Sequence, residues 1–143
     1  GAPRRGSLFA LTGMGGAALH VGDAVWVRVK HKDQVFARGV IAAATAFGCD
    51  IEMDDDGVLV SKHASELYPA NSAGDAPDDH SQLRHMNEPA ILDSTATRYA
   101  KDRIYTNTGS ILLALNPFTS LDIYGPDVIA AHAEARGATK PPP

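Results

Sequence analysis

VGDAVWVRVKHK, Val21 to Lys32, alternates apolar and polar side chains almost without a break. Val25, Val27 and Val29 fall on one side of an extended chain, and Trp26, Arg28 and Lys30 on the other. Successive side chains of a strand point to opposite faces, so the pattern predicts a strand with one buried face. The alternation returns in QVFARGVIAA and in FGCDIEM, where Cys49, Ile51 and Met53 oppose Asp50, Glu52 and Asp54. Asp55-Asp56-Gly57 is a hairpin signal, and GVLVSKH resumes the alternation after it. Several short strands with Gly-marked turns and no helix predict a small antiparallel barrel or rolled sheet over Val21 to Pro69.

Outside that block the character changes. Residues 1–20 combine an Arg pair and a short apolar patch broken off by Gly13, Gly15 and Gly16, which reads as a flexible leader. PANSAGDAPDDHSQ is rich in Pro, Ala, Asp and Ser, so residues 70–82 read as a linker or extended crossing segment. NEPAILDSTATRYAKD reads as a helix with Asn87 as N-cap, Glu88 at the positive helix start and Pro89 in the first turn. Ile91, Leu92, Thr95, Ala96 and Tyr99 cluster at helical spacing and are its expected buried face. RIYTNTGSILLALNP reads as two strands around Asn107-Thr108-Gly109, the second apolar enough for burial on both faces. GPDVIAAHAEARG reads as a closing helix from Pro126 to just before Gly137. The fold class expected is α+β.

Composition narrows the function. The 143 residues carry a net charge of −4, and the 13 Lys and Arg are scattered, which argues against a nucleic-acid surface. No apolar run is long enough to span a bilayer. One cysteine, Cys49, forms no internal disulfide, which favours a cytosolic setting. GMGGAA formally fits a dinucleotide fingerprint, but a strand opens almost immediately after it where a helix is required. Glu52, Asp54, Asp56 and Gly57 sketch a calcium loop whose last ligand position holds His63. The His80/His85 pair lacks the partners of a metal site. No G-x-S-x-G and no Gly-Lys dipeptide occurs, so neither a nucleophile elbow nor a P-loop is present in these residues.

NPFTSLDIY, Asn116 to Tyr124, remains. Pro117 forces Asn116 out of the helical region and ends the strand. An Asn amide at a strand end can present donor and acceptor to a purine edge, with Tyr124 supplying a ring or hydroxyl and Phe118 packing beneath. Ordinary turn chemistry with Tyr124 in the core explains the same residues.

LRHMNEPAIL, Arg98-Tyr99, DRIYT, Gly109 and NPFTSLDIY, in that order and spacing, resemble the opening of the myosin motor head. The resemblance covers about Leu83 to His132, and Val21 to Pro69 resembles more weakly the Src-homology-3-like barrel that precedes the motor core in many myosins. It implies a barrel at 21–69 followed by a helix–hairpin–helix portion of a P-loop NTPase core at 83–143. Asn116, Pro117 and Tyr124 would line the adenine side of an ATP site, supported by Phe118. ATP with Mg²⁺ is the implied ligand of a complete motor. Actin and the rest of a heavy chain are the implied partners, in the cytoplasm on the cytoskeleton. Thr119 and Ser120 depart from the basic residues often found there, Asp122 stands where proline is usual, and Thr95-Ala96 replaces a common Leu-Arg pair. The expectation is an N-terminal piece of a motor that is inactive by itself, since the phosphate cradle and switches are missing. The rival reading is a non-enzymatic interaction module with a groove at Trp26 and Phe36.

Overall fold

A computed structural model describes residues 11–135. The chain divides into two compact units between Ala70 and Asn71, and its described residues mix mostly antiparallel sheets with two α-helices.

The first unit opens with β1 (Leu11–Thr12) and β2 (Ala18–Leu19), an antiparallel pair with Leu11 opposite Leu19. Both leucines are buried in the main core, so a flexible leader is not what residues 11–20 form. Residues 1–10 of the expected leader lie outside the described residues. Between the two strands the GMGGAA glycines make a single 3-10 turn, Met14–Gly16, rather than an α-helix. Gly15 and Gly16 take φ of 69° and 82°, and a Cβ on Gly13 would stand 2.6 Å from Leu19 Cδ1. These glycines serve chain reversal and close packing, which removes the dinucleotide reading.

The main sheet contains β3 (Ala24–Arg28), β4 (Phe36–Thr45), β5 (Gly48–Met53), β6 (Leu59–Lys62) and β7 (Leu67–Pro69). Among the described residues its order is β6-β5-β4-β3-β7, antiparallel throughout. The period-two pattern decides which face is inside: Val25, Val27, Ile41, Cys49, Ile51 and Leu67 are buried together. Full burial of each such aliphatic side chain is worth about 1.5–3 kcal/mol. A register shift between Ile41 and Ala43 marks a bulge in β4, the longest strand. On the other face Phe36 is buried beneath the Arg28 guanidinium, 4.8 Å from the ring centre, with the Tyr68 ring edge-on at 5.6 Å.

The acids of the sketched calcium loop are otherwise occupied. Asp54 pairs with Arg38 at 2.8 Å, and Asp56 Oδ1 accepts from Val58 N–H. His63 Nδ1 accepts from Ser65 N–H and so caps the 3-10 turn Ala64–Glu66. No group of three potential ligands gathers for a metal among the described residues.

The second unit is built around α1 (Glu88–Tyr99), the hairpin of β8 (Tyr105–Thr108) and β9 (Ile111–Ala114), and α2 (Pro126–Glu134). Asn87 caps α1 as expected, its Oδ1 accepting from Ala90 N–H at 3.0 Å, with Pro89 in the first turn. β8 pairs with β9 in the register Tyr105–Ala114 to Thr108–Ile111. The turn expected at Asn107-Thr108-Gly109 is instead Gly109-Ser110, because Asn107 and Thr108 pair within β8, and Gly109 supplies the positive φ, 60°, that a two-residue hairpin turn needs. α2 starts on Pro126; the expected stop at Gly137 lies outside the described residues.

Of the segment 70–82, read as a linker or extended crossing segment, residues 71–82 are tied into this unit. Asp79 bridges Asn107 in parallel, and Asn107 N–H donates to the Asp78 carbonyl at 2.9 Å. The Asn71 side chain both donates to the His85 carbonyl and accepts from the His85 N–H. Polar side chains and backbone pairing, rather than apolar burial, hold the segment.

Candidate functional site

The segment Asn116–Tyr124 follows β9, and its shape starts with local chemistry. Asn116 Oδ1 accepts from Phe118 N–H at 2.8 Å, a side chain standing in for a backbone turn. Phe118 takes φ of 52°, unusual for a bulky residue, and 89% of it is exposed. It does not pack beneath the loop as expected; the positive φ turns its ring outward. Pro117 is half-buried, and Tyr124 is 64% exposed rather than in the core.

Two tyrosines from neighbouring elements hold the ends of this segment. Tyr99, last residue of α1, donates its hydroxyl to the Asn116 carbonyl at 3.2 Å. Tyr105, first residue of β8, shares a hydrogen bond of 2.5 Å with the Tyr124 hydroxyl. That bond, with some burial and the Tyr105 charge adding to it, holds the Tyr124 phenol above its ordinary range, so the ring is neutral at physiological pH. Asn116, Pro117, Phe118 and Tyr124 thus lie on one loop, anchored by two tyrosines to which sequence reasoning gave no role at this site.

Beneath the hairpin lies a second constellation that the sequence did not disclose. Arg98 is 3% exposed. Its Nε donates to Thr106 Oγ1 at 2.8 Å, Nη1 to Asp78 Oδ1 at 2.8 Å, and Nη2 to the Tyr105 carbonyl at 2.9 Å. A guanidinium can be buried because its fork of donors meets acceptors already in place. This corrects the expected helix face: the inner row of α1 is Ala90, Ser94 and Arg98, whereas Leu92 and Tyr99 are exposed. The row has i, i+4 spacing, but its small and polar residues give no hydrophobic signal.

His80 is 0% exposed, with Nδ1 3.2 Å from Thr108 Oγ1 and no protein partner for Nε2 among the described residues. Burial first, then the Arg98 charge, depress its pKa below the usual histidine value, while Asp79 opposes them. Asp79 Oδ1 accepts from Ser81 N–H at 2.8 Å and Gly109 N–H at 3.0 Å, and these backbone bonds lower its own pKa. The hairpin turn is therefore pinned to the segment that precedes α1.

The order of these pieces has a match among known proteins: residues 77–143 fit the myosin head (motor domain) family. This segment belongs to the myosin head family. The match begins just before Asp78 and Asp79 and takes in their contacts with the hairpin. Relatives include Myosin-2 of Arabidopsis thaliana, 34% identical over 76% of this chain, and Myosin-D of Toxoplasma gondii, 37% identical over 65% of it. Myosin-J heavy chain of Dictyostelium discoideum is 51% identical over 55 residues, 38% of this chain. The aligned part makes up 9%, 12% and 2% of those three myosins. No helix among the described residues is long and apolar enough to cross a membrane.

The myosin loop can be tested for fit to a nucleotide. Asn116 has its Oδ1 engaged by Phe118 N–H, so its amide N–H₂ is the group left to meet a base acceptor. Phe118 and Tyr124 add exposed ring faces. These groups suit a heterocycle. They supply nothing for phosphates, which need backbone amides and a lysine in a cradle that these 143 residues do not contain.

Proposed function

We propose that this chain is the N-terminal part of an actin-based, ATP-driven myosin motor, and that NPFTSLDIY is the adenine-side wall of its ATP site. The reading is carried by one observation: in a segment of the myosin head family, an amide and a phenol ring bracket a loop that is fastened at both ends. Asn116 donates to the base, the rings of Tyr124 and Phe118 offer it apolar faces, and Pro117 keeps the corner rigid. Mg²⁺, the phosphates and the hydrolytic step belong to parts of the motor beyond these residues, so this chain supplies no catalytic residue. Actin and the remaining heavy chain are the partners this places around it, on the cytoskeleton in the cytoplasm. In this reading Val21 to Pro69 is a Src-homology-3-like barrel ahead of the motor core.

The test is a nucleotide-bound structure of a heavy chain carrying this segment. The base is expected within hydrogen-bond reach of Asn116 and in van der Waals contact with Tyr124; a base seated elsewhere overturns the assignment. The purified 143-residue chain is expected to turn over no ATP. Sustained phosphate release by homogeneous protein would contradict the assignment of catalysis to other segments. The interaction-module reading gains nothing from the geometry, because Arg28 and Tyr68 already cover the Phe36 ring that was to form its groove.

A further inference from the structure

We infer that Tyr99 and Tyr105 are positioning residues for base recognition, setting the separation between the Asn116 amide and the Tyr124 ring. The inference rests on the adenine-wall reading above and names the residues that make the wall a defined shape. Nine residues of loop with an exposed tip would sample many conformations if held only by their covalent ends. Here each end meets a hydroxyl from a different element. Tyr99 projects from the C-terminal end of α1 and takes the Asn116 carbonyl, the point where β9 gives way to the turn. Tyr105 projects from β8 and takes the Tyr124 hydroxyl, the point where the loop approaches α2.

The two anchors share a rigid origin. Arg98 precedes Tyr99 directly and donates to the Tyr105 carbonyl at 2.9 Å, so one buried guanidinium fastens the backbone behind both tyrosines. The separation between the two hydroxyls is thereby set by α1 and β8 and not by the loop itself. A flat ligand held between an amide and a ring gains affinity when that distance is preset, because less ordering is left to binding. With its hydroxyl bound to Tyr105, Tyr124 meets the base through its ring.

The experiment uses the whole 143-residue chain, labelled for NMR, with adenosine monophosphate as probe and ribose 5-phosphate as the ligand lacking a base. Wild type is expected to show weak, saturable shifts at Asn116 and Tyr124 with the first ligand and none with the second. Asn116→Ala abolishes them. Tyr105→Phe and Tyr99→Phe each weaken binding by at least about threefold and speed amide exchange across Phe118 to Ile123, with the β8–β9 pairing amides as protected as in wild type. Tyr124→Phe matches Tyr105→Phe, and combining them adds nothing further, as expected for one shared bond. Base-dependent shifts in wild type that persist undiminished in Tyr105→Phe and Tyr99→Phe overturn the positioning role and leave the adenine wall standing. Absence of base-dependent shifts in wild type removes the adenine wall and the positioning role together.

Discussion

Strands β5 and β9 lie in antiparallel pairs of one chain and meet opposite environments. GCDIEM in β5 carries two acids, yet Cys49, Ile51 and Met53 are buried. ILLA in β9 is wholly apolar, yet Ile111 is 69% and Leu112 47% exposed. The difference is not composition. β5 sits inside a five-stranded order between β4 and β6, with a layer of side chains over its apolar face. β9 pairs with β8 alone and has an open edge among the described residues. An alternating strand asks for one covering layer and finds it within its unit. A continuous apolar strand asks for two, and the described residues of its unit supply neither in full. The expectation of burial on both faces is therefore unmet in this chain.

That contrast can be broken or sharpened by experiment. The largest effect is expected at the centre of the first sheet. Ile51→Ala should cost about 2–5 kcal/mol, whereas Ile111→Ala should cost under about 0.5 kcal/mol. Urea titration followed by the fluorescence of Trp26, the sole tryptophan, reads the first; backbone amide exchange in β8 reads the second. Equal losses at the two sites would dissolve the distinction.

Next comes the polar anchor of the second unit. Arg98→Leu keeps helix propensity but leaves Thr106 and the Tyr105 carbonyl without the Arg98 donors and Asp78 with Arg103 alone, at a cost of about 2–3 kcal/mol. It should loosen the hairpin and leave the Trp26 transition where it was. A hairpin as well protected as in wild type would show that apolar contacts hold it instead.

The pH dependence should divide the units further. The folded-state pKa of His80 lies below its unfolded value of 6.5, so the unfolded chain binds the proton first. The His80 contribution is complete above about pH 6.5 and declines as pH falls toward the folded value. His80→Gln should flatten that slope in the second unit and leave the first unchanged. The Asp79 contribution has a separate window: it is present above 3.8 and is lost as pH falls through its lowered value. A slope near pH 6 that survives His80→Gln would assign it to another group.

The smallest effect on stability, within about 0.5 kcal/mol, is expected from Leu112→Lys, because the side chain is already half in water. Its effect on association should be plain. The uncharged edge of β9 is a template for pairing, and a lysine blocks it. Sedimentation at roughly 100 μM should show wild type self-associating and the variant less so. A monomeric wild type would mean that the edge is covered after all.

Much of this molecule was legible from its residues. The alternation at Val25 and Val27, and at Cys49, Ile51 and Met53, located strands and their inner faces, because period two leaves no freedom about which side is buried. Asn87 and Pro89 announced the start of α1, since capping is a local event. The spacing of LRHMNEPAIL and NPFTSLDIY pointed to a family that the match over 77–143 then supported. Where the reading failed, the deciding forces were not local. Leu11 and Leu19 looked like a leader because two-residue strands carry no period. Residues 70–82 stayed open between a linker and an extended crossing segment because their ties are hydrogen bonds to partners far along the chain.

What the order of residues determined unaided was the strand pattern of Val21 to Pro69, the Asn87 cap of α1, the presence of a hairpin and the amide-proline corner. Each depends on groups within a few positions of one another, so short-range sterics and periodicity suffice. Only the tertiary structure decided that α1 buries Ala90, Ser94 and Arg98 in place of Leu92 and Tyr99, and that Tyr99 and Tyr105 fasten the corner. Those outcomes turn on acceptors brought together across 7 to 20 positions, and a buried cation settles where its hydrogen bonds are met.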